Sequence, residues 1–349
     1  MNGVFLDWAA TSPVVRFPID TSKQWRNPNA AYAHEERKVL MDCEDRIKAT
    51  IGAKGGHVLY FRCATEAIEW LYHQSLFVWT WWAHSPYEHD AAVYGRMAKT
   101  DDLDGVDFYC HQAVNQLTGE LFDIEAVHER LLQYDDVPFL ICDCTAAIHH
   151  ISLRATRVCQ YADCICMSGH KLGCPDVAFM WIDDRLFDWL GGGKDVRNQY
   201  SLKHGSISVG HVLALADAVE WACDSERIDA NEWYYTHLGV WLNVELDKAG
   251  IKHEWIGNGD DQIAAINAIR LNGLNADAIQ QYAASKGCYI GVGASACAGA
   301  HDYRVLVGGY KLTEQEASEV VRVSFGEDST VDDVDALVAT ICEYRDKFC

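Results

Sequence analysis

The sequence predicts an α/β fold with a large domain, built on a mainly parallel sheet flanked by helices, and a smaller α+β domain. Short apolar runs alternate with segments of helical periodicity up to about residue 250, and a different order of patterns follows. The chain also has 349 residues, more than the roughly 250–300 that one hydrophobic core usually supports. We therefore predict a large domain over residues 15–250 and a small domain over residues 1–14 and 251–349.

The elements of the large domain are predicted from apolar runs and from helical spacing. The predicted buried strands are residues 57–61, 137–142, 162–167 and 177–182. Helical periodicity covers residues 35–51 and 209–223. Because strands and helices alternate along the chain, most neighbouring strands are expected to be parallel.

The small domain shows a different sequence of patterns. Residues 262–271 and 320–325 predict strands, and residues 275–286 predict a helix. Thr313 and Glu316 have the spacing of a capping box, which marks the start of a helix. A closing helix is predicted from four apolar residues on one face, namely Val334, Leu337, Val338 and Ile341.

Charge and hydrophobicity narrow the class of protein. The net charge of −22 would repel the phosphates of nucleic acid and the surface of an anionic membrane. No apolar run reaches the roughly 18–20 residues that span a bilayer, and the first residues lack the basic stretch of a secretion signal. The 14 cysteines are scattered through apolar segments, as in proteins whose thiols stay reduced. We expect a cytoplasmic protein without nucleic-acid or membrane partners.

The segment Ser168-Gly169-His170-Lys171 directly follows the predicted strand 162–167. A lysine at the end of a buried strand is costly unless its charge is neutralised or bonded. Covalent attachment of the amine to an aldehyde would neutralise it. For this segment alone, a surface turn with a solvated lysine is the simpler alternative.

Three other segments could form a ligand site with Lys171. Asp143 ends the predicted strand 137–142, where open α/β sheets bind ligands, and it could either keep a pyridine nitrogen protonated or cap a helix. Ala64 and Thr65 begin a predicted helix, whose amides and hydroxyl could hold a phosphate. His89 could stack on a ring, or it could be an ordinary surface histidine.

Taken in their order along the chain, the motifs resemble those of the class V aminotransferase fold, which is a fold type I pyridoxal-phosphate fold. Within that fold they resemble the cysteine desulfurase family. The similarity covers nearly the whole chain. The matching segments are residues 5–13, 27–29, 64–66, 88–89, 114–119, 143, 168–171, 295–297 and 322–326. Many loose matches in one order are more specific than any single motif.

The resemblance implies a role for each candidate residue. Lys171 would bind the aldehyde of pyridoxal 5′-phosphate and move the substrate α-proton, Asp143 would pair with the pyridinium, and His89 would stack on the ring. The other implied cofactor contacts are Ala64, Thr65, Ser168, His170, Gln116 and Ser206. Because the matching position of Ser206 reaches the phosphate of the other subunit, a homodimer is implied.

The resemblance also implies a substrate and a reaction. Arg322 would bind the α-carboxylate, a task suited to a planar guanidinium, and Asn115 would lie beside the substrate. Cys297, in a run of small residues that predicts a loop, matches the nucleophile that takes sulfur as a persulfide. The implied activity is that of a cysteine desulfurase, a sulfurtransferase that converts L-cysteine to L-alanine and passes sulfur to an acceptor protein.

Two departures from the family pattern leave alternatives open. Ala146 stands where the family usually has a glutamine, and Gln116 stands where it has an asparagine. Another class V reaction, such as transamination or selenocysteine cleavage, is one alternative, and a non-catalytic binding module is another. A metal site is not expected, because the candidate ligands lack a recognised spacing; these are Cys142, Cys144, Cys164, Cys166, His149 and His150.

Overall fold

The computed structural model describes residues 3–76, 80–93, 103–174, 176–257, 259, 261–293 and 303–349. The strands are β1 (Val4–Leu6), β2 (His57–Phe61), β3 (Trp82–His84), β4 (Phe108–Gln112), β5 (Phe139–Asp143), β6 (Cys164–Ser168), β7 (Ala178–Ile182), β8 (His253–Ile256), β9 (Ile266–Leu271), β10 (Cys288–Val292) and β11 (Val320–Ser324). The helices are α1 (His34–Ile51), α2 (Ala64–Ser75), α3 (Ile124–Leu131), α4 (Val158–Tyr161), α5 (Asp184–Trp189), α6 (Val209–Ala222), α7 (Ser225–Lys248), α8 (Ala276–Ser285), α9 (Glu314–Ala317) and α10 (Val331–Phe348).

The chain forms two compact units. The larger unit comprises Val14–Ala113 and Asp123–Ser225, and the smaller comprises Met1–Pro13, Val114–Phe122 and Glu226–Cys349. The domain bounds predicted from sequence, at residues 14/15 and 250/251, stay a prediction. Within the described ranges, none of the helices combines the length and the apolar character that crossing a bilayer requires.

The larger unit is built on a six-stranded sheet in the order β2-β7-β6-β5-β4-β3. Strands β3, β4, β5 and β6 are parallel to one another, whereas β7 runs antiparallel to both β6 and β2. The predicted mainly parallel sheet is therefore confirmed. Each of the four predicted strands lies within two residues of its observed bounds, because a continuous apolar run is typical of a strand buried on both faces.

Aromatic side chains fill one end of this core. Phe108 of β4 is fully buried and stacks on Trp82 of β3, with ring centroids 4.5 Å apart and planes within 10°. Phe108 also stacks on Phe139 of β5, at 5.2 Å between centroids. Offset stacking of this kind adds to the stabilisation that burial of the rings already provides.

The smaller unit is built on a five-stranded sheet in the order β1-β10-β11-β9-β8. Strand β1 is parallel to β10, and the other neighbours are antiparallel. The capping box at Thr313 and the buried face of the closing helix α10 are confirmed. The strand predicted over residues 262–271 begins only at Ile266, because the preceding backbone pairs with residues 119–121 instead. The Ile263 N–H donates to the Gly119 carbonyl at 2.9 Å, and the Leu121 N–H donates to the Asp261 carbonyl at 2.7 Å.

Most cysteines of the described ranges are buried thiols. Cys349 is exposed and four others are half-buried, while the remaining eight lie in the interior. Burial raises the pKa of the Cys174 thiol to about 12 and that of Cys43 to about 11. These side chains therefore behave as small apolar residues rather than as nucleophiles.

A buried histidine predicts how stability depends on pH. Burial lowers the pKa of His111, on β4, from 6.5 to about 4. Between those values the unfolded chain binds a proton that the folded protein does not, so acidification destabilises the fold through this window. The free energy of unfolding should fall by about 3 kcal/mol in total across this window, and it should not change above the pKa of the unfolded chain. Urea unfolding at pH 7 and pH 4.5 measures this effect. The His111→Gln variant should lose less stability on acidification than the parent. The control His237→Gln, on the surface of α7, should lose as much as the parent.

Candidate active site

The predicted cofactor residues of the larger unit lie at one edge of its sheet. Strands β2, β3, β4, β5 and β6 all point the same way, so their carboxyl ends meet at this edge. The candidate residues that follow or end these strands are Ala64, Thr65, His89, Asp143, Ser168, His170 and Lys171. Open α/β sheets bind ligands at this edge, and residues far apart in sequence are brought to it.

Lys171 lies on a short 3₁₀ turn, Gly169–Leu172, that directly follows β6. The turn ends at Gly173, whose φ of 76° is favourable only for a residue without a β-carbon. The carbonyl of Gly173 accepts hydrogen bonds from the backbone N–H groups of Arg16 and Phe17, at 3.0 and 3.2 Å. Gly173 thus fixes the exit of the turn, and Lys171 is half-buried on it.

Ser168 and His170 form a hydrogen-bonded pair at the start of the same turn. The Ser168 hydroxyl lies 2.8 Å from Nδ1 of His170, and Ser168 is almost fully buried. A hydroxyl and an imidazole held together at the end of a strand are suitable donors for a phosphate oxygen.

Asp143 ends β5, and its carboxylate Oδ1 accepts a hydrogen bond from the backbone N–H of Thr145, at 2.8 Å. The Thr145 hydroxyl is buried without a hydrogen-bond partner among the described residues. A buried hydroxyl without a partner is costly unless a ligand supplies one. Sequence reasoning missed Thr145, and its only signal was its place two residues after a strand-terminal aspartate.

His89 begins a short 3₁₀ turn, and its Nδ1 accepts a hydrogen bond from the backbone N–H of Ala91, at 3.1 Å. The preceding Glu88 is fully buried, and its Oε1 accepts from the Ser85 hydroxyl at 2.6 Å and from the Gln112 backbone N–H at 2.8 Å. Glu88 thus ties the His89 segment to the end of β4. Its positioning role was not predicted from the sequence.

The start of α2 is linked to the loop that contains Ser206. Lys203 donates to the Tyr60 carbonyl at 3.2 Å and forms an ion pair with Glu66, in the first turn of α2, also at 3.2 Å. Ser206 is exposed and lines a cavity of about 340 Å³ together with Arg62 and Lys203. The lining also includes the carboxylate of Asp176, and a contact of Ser206 with a second subunit stays a prediction.

In the smaller unit, Arg322 of β11 is 3% exposed and makes two hydrogen bonds. Its Nη2 donates to the carboxylate of Asp7 at 2.7 Å, and its Nη1 donates to the Gln116 carbonyl at 3.0 Å. Its Nε is buried without a hydrogen-bond partner within the described ranges. The guanidinium therefore retains a donor for a further acceptor.

Asn115 and Gln116 are both buried in the segment that contacts Arg322. Oδ1 of Asn115 accepts from the backbone N–H groups of Leu117 and Thr118, at 2.8 and 3.1 Å, whereas its Nδ2 has no partner in the part of the chain that the structure describes. A buried amide N–H and a buried guanidinium N–H are donors that a carboxylate could satisfy.

Cys297, the predicted nucleophile, lies outside the described residues. Among the residues that are described, no group of three or more His, Cys, Asp or Glu side chains is arranged to hold a metal ion.

Comparisons with known proteins identify the family and the fold of the chain. Residues 104–337 match the family model described as aminotransferase class-V. A protein of Halalkalibacterium halodurans, provisionally named cysteine desulfurase NifS, is 21% identical, with 99% of this chain and 98% of the relative aligned. A solved NifS-like protein aligns with a TM-score of 0.79 at 17% identity, over 99% of both chains. The cysteine desulfurase CsdA of Escherichia coli, solved with an S-sulfonic acid, aligns with a TM-score of 0.72 at 18% identity, over 99% of this chain and 95% of that one. The family match covers most of the chain, so this protein belongs to the class-V aminotransferase family, with the fold of the NifS-like proteins.

Proposed function

We propose that the protein is a pyridoxal 5′-phosphate-dependent cysteine desulfurase that transfers the sulfur of L-cysteine to Cys297 and releases L-alanine. The observation that most supports the proposal is the meeting of Lys171, Asp143 and the Ser168–His170 pair at the carboxyl edge of one parallel sheet. The desulfurase name of a relative aligned over nearly the whole chain supports the choice of reaction.

The residues at the sheet edge fit the proposed cofactor. The Ser168–His170 pair, Thr65 and the backbone at the start of α2 would hold the phosphate. Asp143 would pair with the ring nitrogen, and the buried Thr145 hydroxyl, which lacks a partner among the described residues, offers a further hydrogen bond. Lys171 would bind the aldehyde. When bound, the cofactor supplies an electron sink next to the substrate α-carbon.

The side chains of this protein would then perform the remaining steps. Arg322 and Asn115 would bind the α-carboxylate, and the Lys171 amine would move the proton at the α-carbon. The Cys297 thiolate would attack the substrate sulfur. A sulfur–sulfur bond forms, the carbon–sulfur bond breaks with its electron pair on carbon, and a proton completes alanine. A persulfide remains on Cys297 for an acceptor protein.

The proposal is tested with purified protein supplied with pyridoxal 5′-phosphate and L-cysteine. We expect visible absorbance from the bound cofactor, and sulfide and L-alanine in equal amounts when a thiol reductant is present. Selenide release from selenocysteine without sulfide release, or amino transfer to an oxo acid alone, would assign another class V reaction. Absence of cofactor absorbance would favour a non-catalytic binding module.

Asp143→Asn is expected to lower turnover by about 100-fold while leaving the fold intact. Asparagine retains an Oδ1 that can accept from the Thr145 N–H, so the local backbone is preserved. It carries no charge, however, and cannot keep a ring nitrogen protonated. Steady-state sulfide release measures the effect, and Asp104→Asn, at an exposed position, is the charge-matched control. Equal activity of Asp143→Asn and the parent would remove the proposed pairing.

A further inference from the structure

An ion pair spans three neighbouring strands of the smaller sheet. Asp7 follows β1, Gly291 lies in β10 and Arg322 lies in β11, and these strands are adjacent in the order β1-β10-β11. Gly291 pairs directly with Arg322. On the other side of β10, Leu6 pairs with Ile290, and these are the residues that precede Asp7 and Gly291. Asp7 and Arg322 therefore meet across a glycine in the middle strand.

Gly291 provides the space in which the two charged groups meet. A β-carbon at this position would lie 2.7 Å from Nε of Arg322 and 2.7 Å from Oδ1 of Asp7. It would also lie 2.9 Å from Nη2 of Arg322. Carbon atoms do not approach polar atoms this closely, so any side chain at position 291 must displace the guanidinium or the carboxylate. The backbone of Gly291 has no positive φ, and its requirement for glycine is therefore one of space.

Asp7 provides a counter-charge for Arg322, whose charge would otherwise be buried without one. The side chain of Arg322 is 4% exposed and that of Asp7 is 20% exposed, and their 2.7 Å contact is a charge-assisted hydrogen bond. Removing one partner of a buried pair leaves an uncompensated charge, which is strongly destabilising. An anionic ligand of Arg322 would therefore meet a guanidinium that is already paired, and it would be repelled by Asp7.

We propose that Asp7 is a positioning residue that holds Arg322 in place and limits its affinity for the α-carboxylate of an amino-acid substrate, and that Gly291 is the residue that permits this pairing. The inference rests on the proposed function in one respect, the binding of a substrate carboxylate by Arg322. It exchanges some affinity for stability: the fold keeps a compensated arginine when no substrate is bound, and the substrate binds less tightly in return.

The first test is Asp7→Asn, which keeps an oxygen acceptor for Nη2 but removes the competing charge. Calorimetric titration of the cofactor-loaded protein would use L-alanine, which has the α-carboxylate, and ethylamine, which lacks it. We expect the Kd for L-alanine to fall about tenfold, with no change for ethylamine. We also expect the unfolding temperature without ligand to fall. Asp332→Asn, at an exposed position in α10, removes the same charge and should change neither Kd.

The second test is Gly291→Ala, whose β-carbon would lie within 2.9 Å of two guanidinium nitrogens of Arg322. Because it displaces the guanidinium, we expect it to raise the Kd for L-alanine by about tenfold or more and to leave that for ethylamine unchanged. Gly239→Ala in α7 is its matched control, because a β-carbon there would have no atom within 4 Å. The two variants thus shift the same constant in opposite directions, which a general loss of stability would not do.

The outcomes separate this inference from the desulfurase assignment. If Asp7→Asn lowers the unfolding temperature but leaves the Kd for L-alanine unchanged, the role of Asp7 is structural alone and the inference is wrong, even if the parent releases sulfide. If the parent binds L-alanine and both variants shift it as expected, but L-cysteine yields no sulfide, the inference stands and the desulfurase proposal fails. Should one variant not fold, the other still gives a direction that supports or contradicts the inference.

Discussion

Lys171→Ala is expected to abolish sulfide release, with a loss on the order of 10⁴-fold or more, and to remove covalent cofactor attachment. The reason is that one amine would serve both as the anchor of the aldehyde and as the base at the substrate α-carbon. Its place on a turn that directly follows β6 and ends at Gly173 supports this double role. Sulfide assays measure the loss, and borohydride reduction followed by peptide mass mapping locates the attached cofactor in the parent.

Lys54→Ala is the control for this prediction, because Lys54 is exposed in the loop between α1 and β2. It should retain the activity and the cofactor of the parent. Recovery of a reduced cofactor adduct on a lysine other than Lys171 in the parent would contradict the assignment. Circular dichroism of Lys171→Ala distinguishes a lost anchor from a lost fold.

Cys297→Ser is the second change expected to abolish sulfide release, but here the visible absorbance of the bound cofactor should persist. A hydroxyl is a far weaker nucleophile toward sulfur than a thiolate, so the carbon–sulfur bond of the substrate would no longer break. The spectral change on addition of L-cysteine should remain, because binding of the amino acid does not need the thiol. Mass spectrometry of the parent treated with L-cysteine should show one added sulfur on the peptide that contains Cys297.

The exposed Cys349 offers a control, since Cys349→Ser removes a thiol without touching the proposed reaction. Full activity of Cys297→Ser would reject persulfide transfer through this residue. Such a result together with intact Lys171 chemistry would point to a class V reaction that needs no protein thiol.

Much of the fold could be predicted from the sequence because the buried strands are continuous apolar runs. Strand β2 has the predicted bounds, and β7 begins one residue later than predicted. The error at residues 262–265 arose because the backbone of residues 261–263 pairs with residues 119–121, a long-range contact that no local pattern reveals. Helix α7 was not predicted, since an exposed Trp233 breaks the expected polar outer face.

The candidate site, like the fold, could be predicted from the sequence only in part. That Asp143 and Lys171 would share a sheet edge followed from the expectation of parallel strands. The row formed by Asp7, Gly291 and Arg322 depends on strand order, because β10 lies between β1 and β11 in the sheet. Strand β10 is far from β1 in the chain, and it was not predicted from its own sequence pattern. Thr145 and Glu88 could not be identified because their importance lies in burial, which a sequence position alone does not show.

The deep burial of most thiols has a practical consequence for following sulfur through this protein. An alkylating reagent reacts with thiolates that solvent can reach, and interior thiols with raised pKa values are protected from it while the protein stays folded. Labelling before and after unfolding therefore separates the accessible cysteines from those of the core. A sulfane sulfur atom gained from a substrate could be counted against a small background, without first replacing the other cysteines.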